Sequence, residues 1–268
     1  MHGQAVRRRR PAQRPLARAG QDRMRAARIV TTLVLTAHGS ADPRSAANAR
    51  AVADRLARLR PGVDVQVAFC EHNPPSLSEV LRESPADAIV TPLLLADAYH
   101  ARVDIPRQIA GRVGSRRTHM VRQAGVLGED DRLVTVLHQR LAELGTSRRD
   151  DALGVLVVAI GSSSASANAR TAAVASKLAA GTRWAAATTA FATMPDSLPV
   201  AVDELLAGGA RRLAIASWFL APGVLTDRVH GYADRAGIPI TAPLGAHHLV
   251  AETVLNRFDQ AAAERIAA

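Results

Sequence analysis

Three side chains able to hold a divalent ion or to move protons follow three apolar runs in the first half of this 268-residue chain. His38 lies in TAHGS (36–40), Glu71 in AFCEHNPP (68–75), and His100 at the end of TPLLLADAYH (91–100). Two imidazoles and a carboxylate supply the nitrogen and oxygen ligands that suit a borderline divalent metal. The same groups are the usual acid–base partners near neutral pH, so the residue types leave both chemistries open. They are far apart in sequence. They meet only if the three apolar runs are strands ending on one edge of one sheet, which is where an open α/β sheet holds its ligand.

The pattern around them predicts such a sheet. Residues 28–37, 63–70 and 88–95 read as strands, and 119–124 as a short fourth one. Amphipathic or capped segments at 45–59, 76–82, 105–113 and 130–144 read as helices, the second with Ser76 as N-cap. Strands alternating with helices imply a parallel sheet with right-handed crossovers.

The plan then repeats. VLVVAIGSSSASANARTAAVASKLA (155–179) matches LVLTAHGSADPRSAANARAVADRLA (33–57), including an Ala-Asn-Ala-Arg tetrad. Similar matches pair 188–206 with 66–81, 211–229 with 86–104, and 242–255 with 124–137, and 145–151 reads as a linker. In this alignment Ile160 replaces His38, Thr193 replaces Glu71 and Leu225 replaces His100, while Gly161, Ser162, Asn168 and Arg170 persist. Three candidate groups lost together imply one shared task, and a single site in the first half.

Each residue also has an ordinary reading: His38 as a turn residue, His100 as a half-buried side chain bonded to backbone, Glu71 as a helix-capping carboxylate. His72 is expected at the surface, since adjacent side chains at a strand end diverge. His247 and His248, aligned with Glu129 and Asp130, are expected to face solvent, and Cys70 to be a small core residue. His2, His119, His138 and His230 are read as surface or packing residues. The chain has no G-x-x-x-x-G-K-[ST], no G-x-G-x-x-G and no G-x-S-x-G, which argues against nucleotide binding and a hydrolase elbow.

Composition narrows the classes. Hydrophobic residues make up 48% and aromatic ones only 3%, so the core must be built from Ala, Val, Leu and Ile. The single cysteine, Cys70, excludes an internal disulfide and any site needing several cysteines, and the cytoplasm is the expected compartment. The net charge of +10 would suggest nucleic acid, but nine arginines and one acid, Asp22, place +8 of it in residues 1–28. That Arg-rich leader is expected to be disordered, with no specific nucleic-acid role, and the remaining body is nearly neutral. No run approaches the roughly 18 apolar residues of a membrane span, and the short, Thr-broken run after the leader does not read as an export signal.

The HGS turn after the first run, AF-x-E after the second, and PLLL…H-x-R-V-D-I-P after the third resemble the sirohydrochlorin chelatase family. These are class II chelatases, related to ferrochelatase and to the cobalt chelatases of anaerobic cobalamin synthesis. GVLTDRV (223–229) and the degenerate second half are similar to the long, duplicated members, and the resemblance covers residues 29–258. It implies an α/β chain of two tandem chelatase-like domains, each a parallel sheet flanked by helices, facing across a cleft. Residues 29–147 would be the catalytic domain and 150–268 a degenerate repeat supplying the other wall. The implied activity is a lyase reaction, the ATP-independent insertion of Fe²⁺ into sirohydrochlorin to give sirohaem. Cobalt insertion for cobalamin synthesis is the near alternative; a non-catalytic tetrapyrrole or metal carrier is the alternative of another class. Iron is preferred because no His-rich tract marks the chain. By the same resemblance His38 and His100 handle the metal and accept protons, with Glu71 assisting. The carboxylates of the tetrapyrrole call for donors on the rim, and Ser40, Arg44 and Arg102 are expected there. No cofactor is expected beyond the substrate ion, no membrane partner, and a monomer that pairs its two halves internally.

Overall fold

The structure is a computed structural model that describes residues 31–84, 87–111 and 119–267. The Arg-rich leader, the start of the first expected strand and the end of the helix expected at 105–113 lie outside the described residues.

The first sheet is built around β1 (Thr32–Ala37), whose six residues TLVLTA are all buried. A strand covered on both faces carries no charge, and the two threonines of this one donate their hydroxyls, Thr32 to Asp64 and Thr36 to the Val34 carbonyl. It pairs in parallel with β2 (Val65–Phe69) on one side and β3 (Ala88–Pro92) on the other. β4 (Val121–Gln123) adds to β3, giving the order β2-β1-β3-β4. The second sheet repeats the arrangement with β5 (Leu153–Ala159) between β6 (Ala186–Phe191) and β7 (Arg212–Trp218). Its fourth strand shrinks to a bridge between Ile215 and Ile240.

Helix α1 (Pro43–Leu59) starts on the Asp42 cap with Pro43 in its first turn; α2 (Leu77–Glu83) starts on Ser76, whose hydroxyl and the Glu79 carboxylate form a reciprocal capping box. The strand expected at 88–95 stops at Pro92, and the Leu93 N–H makes its final bond to β1 at the Thr36 carbonyl. The segment between this strand and the helix expected at 105–113 forms a π-helical turn, His100–Asp104, running directly into α3 (Ile105–Ala110). The Ile105 N–H reaches the His100 carbonyl, one residue further than in an α-helix. The next N–H in that register would belong to Pro106, which has none. The Ala101 carbonyl it would have served accepts the Gln123 side chain from β4 at 2.7 Å.

The remaining helices are α4 (Asp131–Glu143), α5 (Ala165–Ala179), α6 (Ser197–Ala207), α7 (Val224–Ala236) and α8 (His248–Ala267). They produce five layers. Helices α2 and α3 cover the outer face of the first sheet through Val34, Ala68, Val90 and Ile105; α6 and α7 cover the outer face of the second through Leu156, Val158 and Ile215. The inner faces share one continuous core, Leu33, Leu35 and Ile89 from one sheet with Val155, Val157 and Ala216 from the other, through a middle layer of α1, α4, α5 and α8.

Within that layer the closing helices are exchanged. Helix α4, at the end of the first repeat, packs on α5 and β7, while α8, at the end of the second, packs on α1 and β3. Arg257 of α8 donates to the carbonyls of Val126 and Leu127 and to Asp130. Val250, Val254, Leu255 and Phe258 are buried on α8, each contributing about 1.5–3 kcal/mol relative to exposure. The halves that the sequence separates therefore interlock.

Two details of the repeat register differ from the sequence alignment. Helix starts, caps and buried positions superpose Asp42 on Ser164, Val52 on Val174 and Leu56 on Leu178. In that register Asn48 matches Arg170, so the shared Ala-Asn-Ala-Arg tetrad is offset by two residues and not structurally equivalent. At the end of the repeat, Leu127 N–H bonds to Leu94 O and Leu244 N–H to Phe219 O. This places His247 on Asp130 rather than Glu129, and the imidazole takes over the cap: Nδ1 accepts the Leu249 N–H as Asp130 accepts that of Arg132.

Candidate metal centre

The chain order reverses between β1 and β3, where an open parallel sheet leaves a crevice at its carboxyl edge. His38 follows β1, Glu71 follows β2 and His100 follows β3, and one ligand atom from each lies within 4.8 Å of the other two.

The HGS turn is forced into place by its glycine. Gly39 has φ +96°, and a Cβ there would stand 1.8 Å from the Glu71 carbonyl oxygen. The Glu71 N–H donates to the His38 carbonyl at 3.0 Å, so the two strand ends cross at the site itself. Asn73 Oδ1 holds the turn further on by accepting the Ser40 N–H at 2.8 Å.

The hydrogen bonds assign the tautomers. His38 Nδ1 lies 2.7 Å from the Gly39 carbonyl, an oxygen that can only accept, so Nδ1 carries the hydrogen and Nε2 keeps its lone pair. His100 Nδ1 lies 2.6 Å from Asp104 Oδ2 and donates to it, again leaving Nε2 free. A carboxylate behind an imidazole fixes the ring and raises its basicity toward a metal. The π turn brings this i,i+4 pair together. The His38 and His100 rings meet edge to face, 3.9 Å between centroids and 80° between planes. His38 Nε2 is 3.2 Å from Glu71 Oε1. Two lone-pair atoms at that separation call for a cation between them, either a proton or a metal ion. His38 and His100 are each 37% exposed, which keeps one side open to an incoming ligand.

His72 is held in a left-handed turn, φ +63°, with Nε2 3.6 Å from Glu71 Oε2. It is half exposed but does not diverge from the cluster as adjacent strand-end residues would. Cys70 sits half buried at the end of β2, and burial, reinforced by the Asp104 and Glu71 charges, pushes its thiol up to about 12, so it stays protonated.

The three residues expected to grip carboxylates already have partners. The Ser40 hydroxyl accepts the Asp42 N–H at 3.0 Å. Arg44 is held between Asp42 and Asp227 across the two halves, which keeps both carboxyls below the usual range. Arg102 donates to Asp97 at 2.6 Å, lowering that carboxyl as well. Asp104, behind His100, stands in the H-x-R-V-D-I-P stretch, where no role was expected of it; its signal is the H-x-x-x-D spacing on a helical turn.

In the second half the backbone persists without the donors. Thr193 N–H bonds to Ile160 O at 3.0 Å as Glu71 N–H does to His38 O, and Gly161 has φ +92°. The CbiX family model matches residues 32–144 and again residues 154–261. The chain belongs to the CbiX family. Among curated proteins, the sirohydrochlorin cobaltochelatase of Sulfurisphaera tokodaii is 31% identical over 84 residues, 30% of this chain and 67% of that one. Among solved structures, SirB from Bacillus subtilis with Fe³⁺ superposes with a TM-score of 0.75 at 22% identity, covering 88% of this CbiX-family chain and 97% of that chain. SirB from Bacillus subtilis subspecies spizizenii in complex with cobalt gives 0.66 at 20% identity, covering 86% and 94%. At these identities the structural likeness shows a shared fold: two parallel sheets flanked by helices. No helix among the described residues is long and apolar enough to cross a membrane.

Proposed function

We propose that this protein is a sirohydrochlorin chelatase, a lyase that inserts Fe²⁺ into the tetrapyrrole at the His38–Glu71–His100 cluster. The observation that carries the reading is that cluster: two Nε2 lone pairs and a carboxylate converge on one open rim, while the same backbone in the second half holds Ile160, Thr193 and Leu225. The curated relative is itself named as a sirohydrochlorin chelatase.

Insertion requires that the ion lose water, that two pyrrole N–H protons leave, and that the ion pass from protein donors to four pyrrole nitrogens. His38 and His100 hold the ion through Nε2, and Glu71 completes a mixed nitrogen–oxygen set. As the ion moves to the macrocycle the two Nε2 lone pairs are released, and each accepts one pyrrole proton. Glu71 then faces the His38 imidazolium and Asp104 that of His100, so both new charges are balanced where they form. Solvent exposure of the rings lets the protons leave before the next ion arrives.

Fe²⁺ is the proposed ion because the site must release what it binds, and affinity for such donors rises from Fe²⁺ to Co²⁺. Co²⁺ is the second reading, favoured by the name of the curated relative. The two halves pair within one chain, and we take the monomer as the working unit.

The test is anaerobic absorbance of sirohydrochlorin with Fe²⁺ or Co²⁺ against enzyme-free controls. Wild-type protein should accelerate insertion, with the faster ion identifying the substrate, and His38→Ala and His100→Ala should each reduce it to the uncatalysed rate while folding normally. Near-normal rates in both variants would refute the assignment. Tight binding of the pigment without acceleration would make the protein a carrier.

A further inference from the structure

The carboxyl edge of the second sheet has lost its donors but gained exposed apolar side chains. Of the nine large hydrophobic residues exposed among the described residues, three, Ile160, Met194 and Val224, stand together on this edge. In the repeat register they replace His38, His72 and Tyr99. Ile160 is 48% exposed, Met194 41% and Val224 60%.

Arginines border the same surface. A cavity of about 450 Å³ runs along the exposed face of α7, lined by Val224, Asp227, Arg228, Gly231 and Arg235. A second, of about 160 Å³, joins Arg228 to Met194. Ile160 is tied to the loop that carries Met194, its carbonyl accepting the Thr193 hydroxyl at 2.8 Å. Arg235 lies over Gly231, a guanidinium nitrogen 3.4 Å from where a Cβ would stand. Arg44 pairs with Asp227 and ties it to the start of α1, four residues past the HGS turn, at 2.6 Å, and Asp196 is the acid that lines the second cavity. Arg170 makes a second tie, donating to the Asp97 carbonyl beyond β3. The apolar edge is therefore stitched to the rim that carries the histidines. Unlike Arg44 and Arg102, Arg228 and Arg235 have no hydrogen bond or ion pair among the described residues.

We infer that the degenerate half positions the macrocycle: Ile160, Met194 and Val224 rest against its flat apolar face, and Arg228 and Arg235 take its peripheral carboxylates. This rests on the chelatase reading above. Unpartnered cations beside an apolar shelf complement a flat, carboxylate-fringed pigment, and the Arg44–Asp227 tie makes the shelf continuous with the metal rim. Losing the donors here then has a use, since a second set would compete for the ion.

The inference is tested by titrating the wild-type chain with metal-free sirohydrochlorin, and separately with its fully esterified form, following pigment fluorescence. The combined Arg228→Ala and Arg235→Ala variant should bind sirohydrochlorin about tenfold or more weakly, as loss of charge-assisted bonds implies, but bind the ester as wild type does. Its insertion rate at saturating pigment should stay near wild type, so that KM rises and kcat does not. The combined Ile160→Ser, Met194→Ser and Val224→Ser variant should lose affinity for both forms. Wild-type affinity in both variants would overturn the inference and leave the chelatase reading standing. A concentration-dependent dimer that the serine variant dissolves would also overturn it, by making the shelf a self-association surface. Failure of the wild-type chain to bind sirohydrochlorin would remove the chelatase reading and this inference with it.

Discussion

Gly39 and Gly161 are two copies of one turn and offer a controlled perturbation. Both have a positive φ, +96° and +92°, so alanine at either position adds backbone strain of about 1–2 kcal/mol. What the new methyl group meets differs. At Gly161 it falls 2.6 Å from the Thr193 hydroxyl oxygen, the end of a side chain that can rotate away. At Gly39 it falls 1.8 Å from the Glu71 carbonyl oxygen, which is backbone. Reaching even 3.0 Å requires the two strand ends to separate by about 1.2 Å, and that separation carries Glu71 away from His38, now 3.2 Å distant. Displacements of this size at reacting groups cost about 100-fold in rate. Gly39→Ala should therefore lose about two orders of magnitude in insertion rate, while Gly161→Ala loses stability and little activity. Anaerobic initial rates and thermal unfolding of both variants make the comparison. Equal losses of activity in the two, or a folded Gly39→Ala protein within a few-fold of wild type, would refute the claim that the crossing of these strand ends sets the site.

Asp104→Asn removes the charge behind His100 and should lower insertion by about 10–100-fold without changing the melting temperature, with Asp104→Glu recovering part of it. His138 gives a pH dependence. Burial, with Arg148 beside it, holds its pKa down at about 4, against 6.5 when free. Between those values the unfolded chain binds a proton that the folded one refuses, so stability falls as pH drops from 6.5 toward 4 and this contribution is flat below. Allowing for partial solvent screening, the loss is about 1–2 kcal/mol, read as the pH-dependent difference in unfolding between wild type and His138→Asn.

Much of the site was legible because its signals are local. A buried β1 reads as a run of Leu, Val, Ala and Thr without a charge, Ser76-x-x-Glu79 is a capping box at fixed spacing, and the glycine of HGS announces a tight turn. What was not legible depends on partners distant in sequence. The π turn leaves the Ala101 carbonyl to a donor from another strand, Gln123, which nothing nearby in sequence announces. Arg44 and Arg102 looked like free cations, since nothing nearby in sequence shows that Asp227 and Asp97 neutralise them. The apolar stripes of α4 and α8 reveal which face each buries, not which sheet receives it. The Ala-Asn-Ala-Arg tetrad misled for the opposite reason, identical letters standing two residues out of register on the two helices.

The exchange of α4 and α8 has a consequence for how the chain is made. Synthesis delivers His38, Glu71 and His100 early, but α8, which lies against α1 and β3, is made after all the other elements described above. Until residues 248–267 arrive, the inner face of the first sheet lacks its final cover, although the strands bearing the histidines are already present. A nascent or prematurely terminated chain thus holds its donor residues on an unfinished scaffold. The scaffold beneath the cluster is complete only once α8 has docked.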